Sequence, residues 1–230
     1  MAAEIMLDGQ PFAPCVEKGV GKVVCVGRNY AAHAAELNNP IPEEPILFMK
    51  PPTAISRISP HFSIPGNRGE CHIETEIAIL IGAEIARATD FQANIAIAGI
   101  GIGLDLTLRE VQSALKEKGL PWEKSKAFDG SCPVSGFISP SEDEDWAALE
   151  LSMKRNHLVQ QEGRSADMLN GILPLIGHIT QHFTLMPGDI VLTGTPAGVG
   201  PIEPGDLLEF ELKTKEQSIQ LSSEVVARTF

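Results

Sequence analysis

Seven apolar segments of six to eleven residues, set off by turns rich in glycine and proline, commit this chain to a fold built mainly from short strands. They are "KVVCVG" (22–27), "PILFMK" (45–50), "IETEIAILIG" (73–82), "AIAGIGIGLDL" (96–106), "DIVLTG" (189–194), "DLLEFEL" (206–212) and "SIQLSSEVV" (218–226). Two of them follow a Pro-Gly-Asp turn, "MPGD" and "EPGD", in which proline presets the first central residue and glycine takes the left-handed second one. These paired turns predict two strands starting on the same side of one sheet. Helices are fewer. "TLREVQSALKEKG" opens on Thr107 with Glu110 three residues on, which predicts a capping box, and ends at Gly119. In "SADMLNGILPLIGHITQHF" (165–183) the helical spacing is interrupted by Pro174, which predicts a split or kink. "NYAAHAAEL" (29–37) is alanine-rich and too short to be stable alone in water.

The third strand poses the functional question. In "HIETEIAIL" (72–80) alternation puts Ile73, Thr75, Ile77 and Ile79 on one face, and His72, Glu74, Glu76 and Ala78 on the other. Two like charges roughly 7 Å apart on one stripe repel unless that face is open to water or a positive group lies between them. "GIGIGLDL" (99–106) adds Asp105 on a face otherwise occupied by Gly101 and Gly103, which leaves room for a ligand or another backbone. The glycine spacing fits a dinucleotide fingerprint poorly. Three carboxylates suit a hard divalent cation such as Mg²⁺ or Mn²⁺; the competing reading is a solvated acidic edge strand.

Other groups can face the same cavity. Lys50 ends a strand, Arg109 and Gln112 lie three apart on one helix face, and Lys126 follows in "EKSKAFDG". Around a cation held by three acids, such positive groups would restore attraction for an anionic substrate. His33 and Glu36 can touch across one helical turn, the pairing a general base needs, although an exposed incidental pair reads the same way. "LTGTPAGVG" (192–200) is either a tight turn or a nest offering backbone N–H groups and the Thr195 hydroxyl to a carboxylate. His178 and His182 lack the glutamate of a zinc motif, and "SEDEDW" (141–146) reads as a solvated loop.

A formal charge of −12 argues against nucleic-acid partners, no apolar run is long enough for a membrane span, and the N-terminus lacks the pattern of a secretory signal. With four scattered cysteines and no CxxC pair, reduced thiols in the cytoplasm are expected. At 230 residues the chain suits one domain, taken here as an N-terminal extension (1–20) and a single catalytic domain (21–230).

The ordered series "VVCVGRNYAAHAAEL", "PILFMKPPTA", "HIETEIAILIG", "GLDLTLREVQ", "KGLPWEKSKAFDGSCPVSGF" and "GDIVLTGTPAGVGP" resembles the fumarylacetoacetate hydrolase family, in its small acylpyruvase and oxaloacetate-decarboxylase branch. The resemblance covers nearly everything from about Lys22 onward and only loosely the residues before it. It implies an α+β, mostly β fold, a mixed β roll with few helices, in a homodimer. It also implies that Glu74, Glu76 and Asp105 bind Mg²⁺ or Mn²⁺, that His33 and Glu36 are a catalytic dyad on a lid helix, and that Lys126 polarises the substrate. Lys50, Arg109, Gln112 and Thr195 match the remaining substrate-binding positions. Where many relatives carry a second histidine this chain has Ile73, which should point away from the metal face.

The chemistry so implied acts on small 2-oxo acids through a metal-stabilised enolate. Acylpyruvate hydrolysis or oxaloacetate decarboxylation is expected first, and tautomerisation or double-bond isomerisation, including that of a 2-hydroxyhepta-2,4-diene-1,7-dioate type substrate, is the alternative. A non-catalytic binding protein would need no base, so His33 and Glu36 count against it.

Overall fold

Strand Thr75–Ile81 is buried along its whole length, so it must be covered on both faces, and the architecture follows from that. The computed structural model describes residues 4–36 and 40–228; Leu37, at the end of the expected short helix, lies outside them. Thr75–Ile81 sits at the middle of a seven-stranded sheet in the order Ile46–Lys50, Val23–Gly27, Ile190–Leu192, Thr75–Ile81, Ile97–Leu104, Cys132–Val134, Ile55–Arg57. Two of its pairings are parallel, Ile190–Leu192 with Val23–Gly27 and Cys132–Val134 with Ile55–Arg57; the others are antiparallel. Odd-numbered Ile77, Ile79 and Ile81 join one apolar cluster, with Ile100, Ile102 and the helix Ile172–His182. Even-numbered Ala78 and Leu80 join a second, with Cys25, Leu192, Val134 and Phe137.

The first cluster is closed by a five-stranded sheet, in the order Leu158–Arg164, Glu150–Arg155, Leu207–Lys213, Ser218–Arg228, His61–Pro65. The second is closed in part by the N-terminal residues that the sequence places only loosely. Ile5 is buried there, Phe137 donates its N–H to the Met6 carbonyl at 2.8 Å and Asp8 donates to the Phe137 carbonyl at 2.9 Å. Full burial of an isoleucine contributes about 1.5–3 kcal/mol.

All seven expected strands form, with two corrections that matter for the site. The third is broken at Glu74: Cys71–Ile73 belongs to a three-stranded sheet with Thr107–Leu108 and Gly200–Ile202, and the seven-stranded sheet begins again at Thr75. The strand Ile97–Leu104 stops at the same place, so Glu74 and Asp105 both occupy the joint between two sheets, tied by an Asp105 N–H to Glu74 carbonyl bond of 2.8 Å. The glycine face, secondly, is not open. A Cβ on Gly101 would stand 2.8 Å from the Phe137 ring, and one on Gly103 would stand 2.4 Å from Leu192 Cδ2. The glycines admit core side chains, not a ligand. Gly101→Ala is therefore expected to lower stability by about 1–3 kcal/mol through overpacking, read from urea denaturation, despite the entropy a strand glycine loses on folding.

The remaining differences are local rules overridden by tertiary contacts. Gly188 and Gly205 adopt φ of 92° and 95°, as the Pro-Gly-Asp turns require, but their strands enter different sheets because a turn sets four residues and not the next partner. Thr107 does not cap the helix Arg109–Glu117; it lies in a strand, donates its hydroxyl to the Asp105 carbonyl and accepts from Lys126. Pro174 falls in the first turn of the unbroken helix Ile172–His182, where its missing N–H leaves no bond unmade. Among the described residues no helix is long and apolar enough to cross a membrane.

Candidate active site

The joint between the sheets brings Glu74, Glu76 and Asp105 together. Glu76 lies two residues into its strand, directly opposite Gly103, and one carboxylate oxygen from each of the three falls within 4.8 Å of the other two. All three are buried. The acidic edge-strand alternative from the sequence is thereby set aside: these carboxylates face protein, not water.

Buried acids must find counter-charges, and the neighbouring cations supply some of them. Lys126, at the end of the short helix Glu123–Lys126, places Nζ 2.8 Å from Glu74 Oε2, 2.5 Å from Asp105 Oδ2 and 2.7 Å from the Thr107 hydroxyl. Arg109 donates to Glu74 Oε1 at 2.5 Å and to Gln112 Oε1 at 2.7 Å, the latter across one helical turn. Burial alone would raise the Glu74 carboxyl, but Lys126 and Arg109 outweigh it and hold Glu74 well below the usual carboxylate range. Burial likewise disfavours the Lys126 ammonium, and Asp105 and Glu74 reverse that, holding it well above an ordinary lysine.

Glu76 has no such partner. Its Oε2 accepts the Gly194 N–H at 2.5 Å, yet burial, with Asp105 and Glu74 beside it, pushes its carboxyl well above the usual range. Asp105 Oδ1, with Lys50 Nζ at 2.8 Å, makes no hydrogen bond. Three converging oxygen donors, one of them with no cation of its own among the described residues, fit a hard divalent cation.

His33 is buried on the short helix Ala31–Glu36 and lines the same cavity. Its Nδ1 is 3.5 Å from Glu36 Oε2, an ion-pair distance without a hydrogen bond, and the other Glu36 oxygen accepts the Gly198 N–H at 3.0 Å. Burial lowers the imidazole below its ordinary 6.5, against the opposing pull of Glu74 and Glu36. Thr195 also lines the cavity; its hydroxyl donates to the Thr75 carbonyl at 3.0 Å and accepts from Gln161 Nε2 at 2.7 Å.

Thus eight of the ten sequence candidates, Glu74, Glu76, Asp105, Lys126, Arg109, Gln112, His33 and Thr195, share one cavity wall. Glu36 stands behind His33. Lys50 does not reach the wall: it is wholly enclosed behind Asp105, donating to the Ser131 carbonyl at 3.0 Å and to the Lys126 carbonyl. The free space in the cavity is about 40 Å³, and a hollow of about 240 Å³ shares Phe48, Trp122 and Lys126 with it. Two further hollows, of about 470 and 420 Å³, lie on the five-stranded sheet and contain none of these groups. His178 and His182 form a ring contact with centroids 5.1 Å apart and join no metal-competent cluster among the described residues.

Among the cavity residues not singled out from the sequence are Arg28, Phe48, Lys116 and Trp122, and Gln161 supports the site from behind. Lys116 was detectable: it follows Arg109 by seven residues and Gln112 by four, on one helical stripe. Gln161 comes from the five-stranded sheet, and no local pattern announces it.

Residues 22–226 match the fumarylacetoacetate (FAA) hydrolase C-terminal family. An oxaloacetate tautomerase of Escherichia coli (strain K12) is 51% identical over 190 residues, covering 82% of this chain and 87% of its own. A mitochondrial oxaloacetate tautomerase of Bos taurus is 40% identical over 187 residues, 81% of this chain and 85% of its own. The crystal structure of fumarylpyruvate hydrolase from Pseudomonas aeruginosa in complex with Mn²⁺ and pyruvate has a TM-score of 0.87 at 31% identity, over 99% of this chain and 97% of that one.

Proposed function

The chain belongs to the fumarylacetoacetate hydrolase family, and from that premise we propose that it is a divalent-cation-dependent enzyme that interconverts small 2-oxo acids and their enol forms, with oxaloacetate keto–enol tautomerisation as its first reaction. The observation that carries this reading is the convergence of Glu74, Glu76 and Asp105 in a cavity that also holds His33. It reverses the order of reactions expected from the sequence, because the tautomerase relatives align over more than four fifths of both chains.

A cation held by the three carboxylates would supply positive charge beside the 2-oxo oxygen, where negative charge grows as the enolate forms. The protein's own groups do the rest. Lys126 places a second fixed charge at the same oxygen, and it is already aligned before reaction, so little reorganisation is needed. Arg109 Nε, a buried N–H without a partner, is available to the substrate carboxylate, with Gln112 bracing the guanidinium. His33, whose protonated form burial disfavours, takes the proton from C3 and passes it to the 2-oxo oxygen as the enol forms, with the two transfers reversed on ketonisation, and Glu36, 3.5 Å from its Nδ1, stands where it can steady the imidazolium formed in between. Lys50 acts from behind by orienting Asp105.

Hydrolysis of an acylpyruvate is the second reading, favoured by the fumarylpyruvate hydrolase with its Mn²⁺ and pyruvate. There the same base would activate water and pyruvate enolate would leave. The deciding experiment follows enol-to-keto conversion of oxaloacetate alongside pyruvate release from oxaloacetate and from acetylpyruvate, before and after chelation. Chelation is expected to reduce tautomerisation by on the order of 10²–10³-fold, with recovery on adding Mg²⁺ or Mn²⁺. Undiminished turnover in protein verified as metal-free rules the reading out, and faster pyruvate release than tautomerisation favours the hydrolase.

A further inference from the structure

Four cations line the cavity, and only two of them are committed. Lys126 and Arg109 are ion-paired to Glu74 and Asp105, whereas Arg28 and Lys116 make no ion pair among the described residues. In a chain of formal charge −12, two positive side chains on one cavity wall with no acid at ion-pair distance among the described residues are conspicuous.

Both are placed with care. Arg28 holds φ of 60°, a left-handed conformation uncommon for a residue other than glycine. It is kept there by its neighbour: Asn29 Nδ2 donates to the Thr193 carbonyl at 2.8 Å and the Asn170 carbonyl at 2.9 Å, and Asn29 Oδ1 accepts the Asn170 N–H at 2.9 Å. Strain so maintained beside a cavity is a pointer to a role there. Lys116 shares the helical stripe of Arg109 and Gln112, and its ammonium stands 5.2 Å from the centroid of the Trp122 ring. Burial, then the nearby charges of Arg28 and Arg109, bring Lys116 down to about 8. An anion seated beside these side chains would relieve that repulsion.

The inner groups account for one end of a substrate. Lys50, Lys126 and Arg109 are all ion-paired to Asp105 and Glu74, so they belong to the end of the cavity where a divalent ion held by the three carboxylates would face a 2-oxo acid group and its growing enolate. Nothing in that set calls for Arg28 or Lys116. We propose that Arg28 and Lys116 form the subsite for the distal carboxylate of a 2-oxo dicarboxylic acid such as the oxaloacetate taken above as first substrate. This rests on the function proposed above and adds the residues that select among its substrates.

The test compares oxaloacetate, which carries a distal carboxylate, with oxalate, whose adjoining carboxylates leave nothing to extend outward. In the metal-loaded enzyme, KM for oxaloacetate and the inhibition constant of oxalate are measured for wild type, Lys116→Met, Lys116→Arg and Arg28→Asn. Methionine keeps the apolar stem over Trp122, and asparagine tolerates the left-handed backbone. The ratio of KM to the oxalate constant is expected to rise roughly 10–100-fold in Lys116→Met and in Arg28→Asn, the range for a hydrogen bond to a charged group, and to return to within about threefold of wild type in Lys116→Arg. An unchanged ratio, whether both constants rise together or neither moves, overturns the subsite while leaving the function standing. A wild type inert toward oxaloacetate overturns the function, and the subsite with it.

Discussion

Asp105→Asn is expected to abolish turnover and to cost about 3–5 kcal/mol of folding stability. The two losses have different origins. Turnover fails because one of the three converging oxygen donors becomes a neutral amide. Stability falls because Lys50 is fully enclosed and Asp105 is its ion-pair partner, its other contacts being carbonyls and the Ser131 hydroxyl. Lys126 suffers less, since Glu74 still holds it at 2.8 Å. The double variant Asp105→Asn/Lys50→Met separates the effects: it should recover most of the stability, because no buried charge is left unmatched, while staying inactive. Urea denaturation and the tautomerisation assay together check this. A single variant as stable as wild type would show that the enclosed ammonium does not depend on Asp105.

His33→Ala is expected to reduce kcat by roughly 10²–10⁴-fold, the span that a positioned general base contributes. The residue is buried but sits on a six-residue helix at the cavity edge, so far-UV circular dichroism and the melting temperature are recorded alongside to separate a loss of the base from a loss of fold. Its pH signature is specific. Burial depresses the imidazole, with Arg109 adding to the effect and Glu74 and Glu36 opposing it, so the acid limb of kcat should lie below the ordinary value of 6.5. The sign follows from the role: protonation as pH falls through that depressed value removes the lone pair that accepts the substrate proton, and the rate drops. In His33→Ala the limb should vanish along with the rate. A limb that persists assigns it to another group.

Which parts of this were legible in the sequence depends on how far each feature reaches. Strands such as Val23–Gly27 and Ile190–Leu192 were readable because apolar runs and turn residues act locally. The hairpin Glu150–Arg155 to Leu158–Arg164 was not, because its strands are largely polar and its turn uses Asn156 and His157 at φ of 51° and 70° instead of the usual glycine. A capping box was expected at Thr107 and in fact occurs at Thr89 and Gln92, heading the unforeseen helix Asp90–Ala96. Thr107 is claimed by Lys126, 19 residues away, and a three-residue pattern cannot register that competition. The acids were identified but their arrangement was not. Alternation placed Glu74 and Glu76 on one stripe, whereas the chain changes sheets between His72 and Thr75, and it is that change which turns Glu74 toward Asp105. Lys50 read as a cavity cation because nothing local reveals that a strand end will be enclosed.

The bond from Gly198 to Glu36 ties the short His33 helix to the loop that carries Thr195. Six residues of helix have too few internal bonds to persist unaided, so this one borrows its order from across the cavity. With His33 in the role proposed for it, proton transfer would be conditional on the opposite rim, and a disturbance of residues 195–198 should register as a loss of turnover before it registers as a fault in the fold.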